Sequence, residues 1–144
     1  MNTDFVVLAA GEGKRMLGTA PKVLLPIAGK PMAQHALDTI SEIEKSRAIL
    51  VLGNQAKEVK KVLNTSKSTK MVIQRKQLGT AHAVKMALPK LRPSSVMVVL
   101  YGDVPLVGSK SLKKLIKSAE KGSLAILTFI KVNCGRDIEC LESF

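Results

Sequence analysis

At 144 residues and 15.5 kDa, the chain has the span of one ordinary domain and no room for a second of usual size. Apolar residues make up 46% of it and the mean hydropathy is +0.15. That excludes a disordered chain, while no apolar run reaches the ~18 residues that a membrane helix needs. Lysine and arginine number 23 against 11 acids, a net charge of +12, which favours anionic partners. With three Phe, one Tyr and no Trp, there is little on which single-stranded bases could stack.

The first residues, Met1-Asn2-Thr3-Asp4, lack the basic region of a secretion signal. Phe5-Val6-Val7-Leu8-Ala9 is short and β-branched, and Gly11 and Gly13 follow it, so a buried strand is expected to enter a glycine-rich loop. Pro31 suits the first turn of a helix, in which Met32, Ala36, Ile40 and Ile43 recur at helical spacing. A second buried strand spans residues 48–52 and is closed by Gly53-Asn54. A short basic helix over residues 56–63 is expected to turn Val59, Val62 and Leu63 inward. Met71-Val72-Ile73 reads as a third strand, residues 81–88 as a helix opened by Gly79-Thr80, and Val96-Met97-Val98-Val99-Leu100 as a fourth strand ended by Gly102-Asp103-Val104-Pro105. Residues 111–121 form an amphipathic pattern with Leu112, Leu115, Ile116 and Ala119 inward, and residues 124–130 read as a fifth strand.

This alternation of strands and helices, with strands apolar on both faces, demands an α/β fold: an open parallel Rossmann-like sheet with helices on both faces. Ligands of such sheets sit outside the carboxyl ends of the strands. The tail, residues 132–144, is different. It gathers both cysteines, Cys134 and Cys140, and the acids Asp137, Glu139 and Glu142, with no clear period. One cysteine pair cannot staple a domain of this size, so a reducing, cytoplasmic setting with free thiols is expected.

The loops carry the chemistry. Residues 11–16 fail the dinucleotide fingerprint because Met16 stands where its third glycine belongs, and Gly13 to Gly18 fails the P-loop because Thr19 replaces its lysine. Glycines still let backbone N–H groups approach phosphate oxygens. Lys14, Arg15 and Lys22 add three cations within nine residues, which suits a triphosphate. Asp103, directly after a buried strand, reads equally as an Mg²⁺ ligand or as a turn cap. The amide of Gln74 can offer a donor and an acceptor to a base edge, although Gly79-Thr80 is as well explained by a helix start. His35 and His82 stand alone and read as helix-surface or packing residues, and the cysteines lack the partners of a zinc site.

Taken in order, Leu8-Ala9-Ala10-Gly11-x-Gly13-x-Arg15-Met16, Pro21-Lys22-Val23-Leu24, Gln77-Leu78-Gly79-Thr80-Ala81-His82-Ala83 and Tyr101-Gly102-Asp103-Val104-Pro105-Leu106 resemble one family. It is the uridyltransferase half of the bacterial bifunctional N-acetylglucosamine-1-phosphate uridyltransferase/glucosamine-1-phosphate acetyltransferases, within the MobA-like nucleotidyltransferase superfamily. The first motif alone is shared with enzymes acting on molybdopterin. The resemblance implies that residues 1–131 are the N-terminal part of a nucleotidyltransferase domain. It further implies that Leu8, Ala9, Ala10 and Gly11 hold the nucleotide, that Arg15 and Lys22 meet the phosphates as catalytic residues, and that Gln74, Gly79 and Thr80 recognise uracil. Tyr101 and Gly102 would line the nucleotide site, and Asp103 would join them and bind Mg²⁺.

The implied reaction joins UTP and N-acetylglucosamine 1-phosphate into UDP-N-acetylglucosamine with release of pyrophosphate, for cell-wall precursor supply. The expected partners are therefore UTP and a sugar 1-phosphate, not nucleic acid or membrane, with self-association or association with a longer homologue also considered. Family members continue beyond this length. Their later metal and sugar ligands and their acetyltransferase β-helix have no counterpart here, so weak turnover, a nucleotide-binding remnant without catalysis, or another substrate stay open as alternatives. A frame-shifted or truncated product would account for the divergent tail.

Overall fold

In β1 (Asn2–Ala9) the side chains alternate across the sheet, and both faces are apolar because both are covered. Phe5, Val7 and Ala9 lie in one core cluster and Val6 in another. The computed structural model describes residues 1–11 and 20–128 of the chain; Arg15, Lys14 and the whole 132–144 tail lie outside those residues. After β1 come a 3₁₀ turn (Lys22–Leu24) and a two-stranded antiparallel ribbon, β2 (Pro26–Ile27) and β3 (Lys30–Pro31). The chain then alternates α1 (Met32–Ser41), β4 (Ser46–Leu52), α2 (Ala56–Val62), β5 (Lys70–Ile73), α3 (Thr80–Ala87), a second 3₁₀ turn (Leu88–Lys90), β6 (Ser95–Tyr101) and α4 (Ser109–Ala119).

The main sheet is parallel, in the order β5-β4-β1-β6. The chain builds outward from β1 through β4 to β5, then crosses to the other side of β1 to place β6. The carboxyl ends of β1 and β6 therefore lie side by side where the strand order reverses, the topological switch point of the described sheet. One face of the sheet is covered by residues of α1, α2, α4 and the first 3₁₀ turn, among them Ala33, Leu37, Ile40, Val59, Leu112, Ile116 and Val23. The other is covered by α3 through Ala83 and Ala87, against Val6, Ile49 and Val51.

Several expectations need correction. Pro31 is the residue just before α1 rather than in its first turn; its fixed φ of −53° sets the entry and leaves the first helical N–H groups unaffected. In α2, Val59 is 2% exposed but Val62, the last residue of a helix of only two turns, is 54% exposed. Leu63 turns inward only after the helix has ended. Among the described residues, 124–128 form no strand, and Leu124 and Ile126 are exposed. The sheet of the described residues thus has four strands, with β6 at its edge. Val98 and Leu100 of β6 pack on the first cluster, whereas Met97, Val99 and Tyr101 face outward and are exposed.

At the amino end of the sheet, Asp4 is fully buried beside Arg47 and Arg92. Register places Asp4 directly across from Arg47. Arg47 donates through Nε at 2.9 Å and Nη2 at 3.2 Å, Arg92 through its amide at 2.6 Å and Nε at 2.8 Å, and Ser95 Oγ at 3.2 Å. Burial alone would raise the carboxyl pKa, but the hydrogen bonds from Arg47 and Arg92 and the Arg47 charge outweigh it and hold Asp4 below the ordinary carboxylate value. Arg92 Nη2 also donates to the carbonyls of Thr3 and Lys45 at 2.8 and 3.0 Å, closing the ends of two strand connections. No helix among the described residues is long and apolar enough to cross a membrane.

Candidate nucleotide site at the carboxyl end of the sheet

The end of β1 is held against two glycines, Gly102 and Gly53. The amide of Gly102 donates to Leu8 O at 2.9 Å, and a Cβ at Gly102 would come within 3.1 Å of that same oxygen and 3.3 Å of Val23 Cγ1. A Cβ at Gly53 would lie 2.6 Å from Ala10 O. At Gly53 the approach is closer than a Cβ permits and at Gly102 it is tight, and this convergence shapes the floor of the crevice.

Above this floor the loops are tied to each other. Gln77 Nε2 donates to Ala10 O at 2.7 Å across a separation of 67 residues. Because a trans peptide points its C=O and the following N–H in opposite directions, this bond turns the amide of Gly11 away from Gln77. Gln77 was not among the expected site residues: its type suits any exposed loop, and nothing in the spacing shows that it reaches back to the first strand.

Lys22 opens the first 3₁₀ turn, whose Val23 is buried against Gly102. Asp103 follows β6. Their side chains meet with Lys22 Nζ donating to Asp103 Oδ2 at 2.7 Å, and both remain partly exposed. A cap would place the Asp103 carboxylate on backbone N–H groups of its own turn. Instead the turn closes through Val104 N to Tyr101 O, and among the described residues the carboxylate is bonded to Lys22. That favours the ligand reading of Asp103 over the cap. A partly exposed ion pair of this kind contributes little stability.

Gln74 begins the loop after β5, its amide N–H donating to Leu52 O at 2.8 Å. Its side chain is buried, with Nε2 donating to Gly79 O at 3.2 Å and lying 2.9 Å from His82 Nδ1. Gly79 has φ +92°, in the region that favours glycine, and its carbonyl also accepts the first helical bond of α3 from Ala83 N at 3.2 Å. Gly79-Thr80 thus starts a helix and Gly79 is tied to Gln74 as well. The structure brings Leu8, Ala9, Ala10, Gly11 and Gly102 together, and Lys22 with Asp103, and Gln74 with Gly79. The side chains of Thr80 and Tyr101 are exposed and stand apart from these bonds, and Arg15 lies outside the described residues.

As a fit for a divalent cation, the described part of the site offers one carboxylate, and no group of three or more His, Cys, Asp or Glu gathers among the described residues. A dedicated protein cage is therefore not what these residues build. A single carboxylate fits Mg²⁺, which keeps several waters and takes its other ligands from substrate phosphates.

A parallel α/β sheet with glycine-lined strand ends and a cation–carboxylate pair at its switch point defines an α/β domain with a polar crevice at the carboxyl end of its sheet. The chain belongs to the MobA-like NTP transferase family, whose domain matches residues 5–134. It is 43% identical over 125 residues to the bifunctional protein GlmU of Cellvibrio japonicus, covering 87% of this chain and 27% of that protein. It is 46% identical over 128 residues to the bifunctional protein GlmU of Nitrosomonas eutropha, covering 89% and 28%. The chain thus spans about a quarter of the length of these curated relatives, matching their N-terminal part.

Among solved structures, Rv0371c of Mycobacterium tuberculosis superposes with a TM-score of 0.73 at 28% identity over 83% of this chain and 61% of that one. Its complex with manganese gives 0.70 at 27% identity, over 83% and 60%. A UDP-glucose pyrophosphorylase shares the fold, with a TM-score of 0.68 at 22% identity over 83% of this chain and 55% of that one.

Proposed function

We propose that the crevice between β1 and β6 binds UTP with Mg²⁺ and serves the transfer of uridylyl to N-acetylglucosamine 1-phosphate, giving UDP-N-acetylglucosamine and pyrophosphate. The observation that carries this reading is the Lys22–Asp103 pair, 2.7 Å apart and drawn from loops 81 residues distant, beside strand ends that glycines bring into close approach. The similarity to GlmU supports the choice of uridine and of the sugar.

The chemistry asks little of the protein beyond positioning and charge. The attacking sugar-phosphate oxygen is already ionised, so no protein nucleophile is required. It attacks the α-phosphorus in line, and pyrophosphate leaves. The backbone of residues 8–11, with the Ala10–Gly11 peptide held through Ala10 O by Gln77, would hold the nucleotide. Lys22 neutralises charge that builds on the phosphates, and Arg15 adds to it. Asp103 would hold Mg²⁺, which supplies Lewis-acid neutralisation of the phosphate oxygens when bound. Gln74, Gly79 and Thr80 would face the base, and Tyr101 and Gly102 would line the nucleotide pocket.

Among the described residues, Asp103 is the one acid in the loops that border the crevice. That favours a chain that binds nucleotide well and turns it over slowly. Titrating UTP, CTP and GTP with Mg²⁺, followed by an assay of pyrophosphate release with N-acetylglucosamine 1-phosphate, tests both parts. UTP should bind in preference to the other two, with slow pyrophosphate release. A preference for GTP or CTP would move the chain towards other branches of the family and contradict the uridine reading.

A further inference from the structure

We propose that the outer face of α4, with the apolar residues at its two ends, is a docking surface for an anionic lipid bilayer. A membrane partner is not among those the motifs imply, and no helix among the described residues can span one; resting on a bilayer surface needs no spanning segment.

α4 buries Leu112 and Ile116 against the first core cluster, with Leu115 packed beside them. Lys110, Lys113, Lys114 and Lys117 recur at three- and four-residue spacing, so they form one stripe on the side away from the sheet, and all are exposed. Lys121, just past the helix, is exposed as well. This stripe works against the helix that carries it. Lys110–Lys114 and Lys113–Lys117 are like-charge pairs, which destabilise a helix. Lys110 stands in the first turn, where a cation opposes the helix dipole. The helix contains no Asp or Glu to balance them, and Glu120, its C-cap, lies 3.5 Å from the amino terminus of Met1. A single-sign stripe concentrates positive potential, and an anionic surface relieves the repulsion within it.

Large apolar side chains flank the stripe. Leu106, just before the N-cap Gly108, is 82% exposed, and beyond the other end Leu124 is 91% and Ile126 70% exposed. Exposed apolar groups beside charges mark contact surfaces. A nucleic acid offers phosphates to the lysines but nothing to the leucines, and the chain has few aromatic residues to stack bases. A bilayer offers both, with anionic headgroups for the lysines and acyl chains beneath them for the leucines. Lysine suits this setting, since its apolar stem lies along the interface while its ammonium reaches the headgroups.

The test is flotation of the full chain with vesicles of phosphatidylcholine alone and of phosphatidylcholine mixed with phosphatidylglycerol. Wild type should float with the mixed vesicles only, and less as salt shortens the screening length from ~10 Å to ~3 Å. Lys110→Ala, Lys113→Ala and Lys117→Ala combined should lower partitioning by roughly a hundredfold. Lys57→Ala, Lys60→Ala and Lys61→Ala combined remove the same charge from α2 and should lower it by no more than about threefold. Leu106→Ser with Leu124→Ser keeps every cation and should lower it by roughly tenfold. All these side chains are exposed, and thermal melting checks the fold of each variant. Failure of wild type to float with the mixed vesicles, equal losses in the two lysine variants, or unchanged partitioning of the leucine variant would each overturn the inference. Tighter binding of wild type to duplex DNA than to the mixed vesicles at the same salt would assign the stripe to nucleic acid and overturn it too.

Discussion

Two side chains at the carboxyl end of the sheet, Lys22 and Gln77, are placed by a bond to another loop, and Lys22 is the clearer case. It is partly exposed, paired with Asp103, and carried on a turn anchored by buried Val23. Replacing it with alanine leaves that anchor intact and removes one cation from the phosphates. Lys22→Ala should weaken UTP binding by roughly ten- to a hundredfold, the range for a lost charge-assisted contact, with little change in Tm; calorimetric titration and thermal melting read the two. Lys22 and Asp103 were legible in the sequence because both stand in ordered motifs. Gln77 and His82 were not. A glutamine in a polar loop and a histidine on a helix carry no mark of their partners, and the bonds to Ala10 O and to Gln74 exist only once β1, β5 and α3 are packed.

The elements that position the site were read well where both neighbours cover them. β1 and β4 announce themselves as continuous apolar runs because both of their faces are buried. At the margins the pattern misleads. The apolar residues Leu124 and Ile126 resemble strand residues but make none among the described residues, since hydrophobicity alone does not supply a partner strand. Val62 has the same side chain as Val59 and opposite surroundings, because helical phase is uncertain over two turns. Glycines were legible as turn signals, yet their sharper purpose is close approach. Gly53→Ala would push a Cβ to 2.6 Å from Ala10 O, a backbone atom, so either β4 or the first loop must move. Both stability and UTP affinity should fall, with Tm lowered by several degrees for about 1–3 kcal/mol of strain. An alanine variant with unchanged Tm and Kd would show that this contact is easily relieved.

For the molecule as a whole, the two ends of the sheet divide the work. The amino end is locked by Asp4, Arg47 and Arg92, and at the carboxyl end the Lys22–Asp103, Gln77–Ala10 and Gln74–Gly79 bonds hold the loops that border the crevice. Asp4 titrates below the ordinary carboxylate value when folded. Its stabilising contribution is therefore fully present above the unfolded value near 3.9, and it is lost as pH falls through the lower folded value. Wild-type Tm should drop steeply below about pH 4. Asp4→Asn strands two partly buried guanidinium groups and should cost about 3 kcal/mol near neutrality, with a shallower further loss on acidification. Thermal melts of both proteins from pH 7 to pH 2 check the sign. Nothing in the sequence marked this cluster, since Asp4 sits in the first strand 43 residues from Arg47 and the register that pairs them is a product of the fold.

The most direct test of the nucleotide site is a titration of UTP into wild type and Asp103→Asn, with and without Mg²⁺. Asparagine keeps the shape of Asp103 and removes its anionic oxygen. Wild type should bind UTP more tightly with Mg²⁺ than without, and Asp103→Asn should lose that gain while its metal-free affinity stays close to wild type. An identical Mg²⁺ response in the two proteins would contradict the placement of the metal at Asp103, and with it the site built around Lys22 and the switch point.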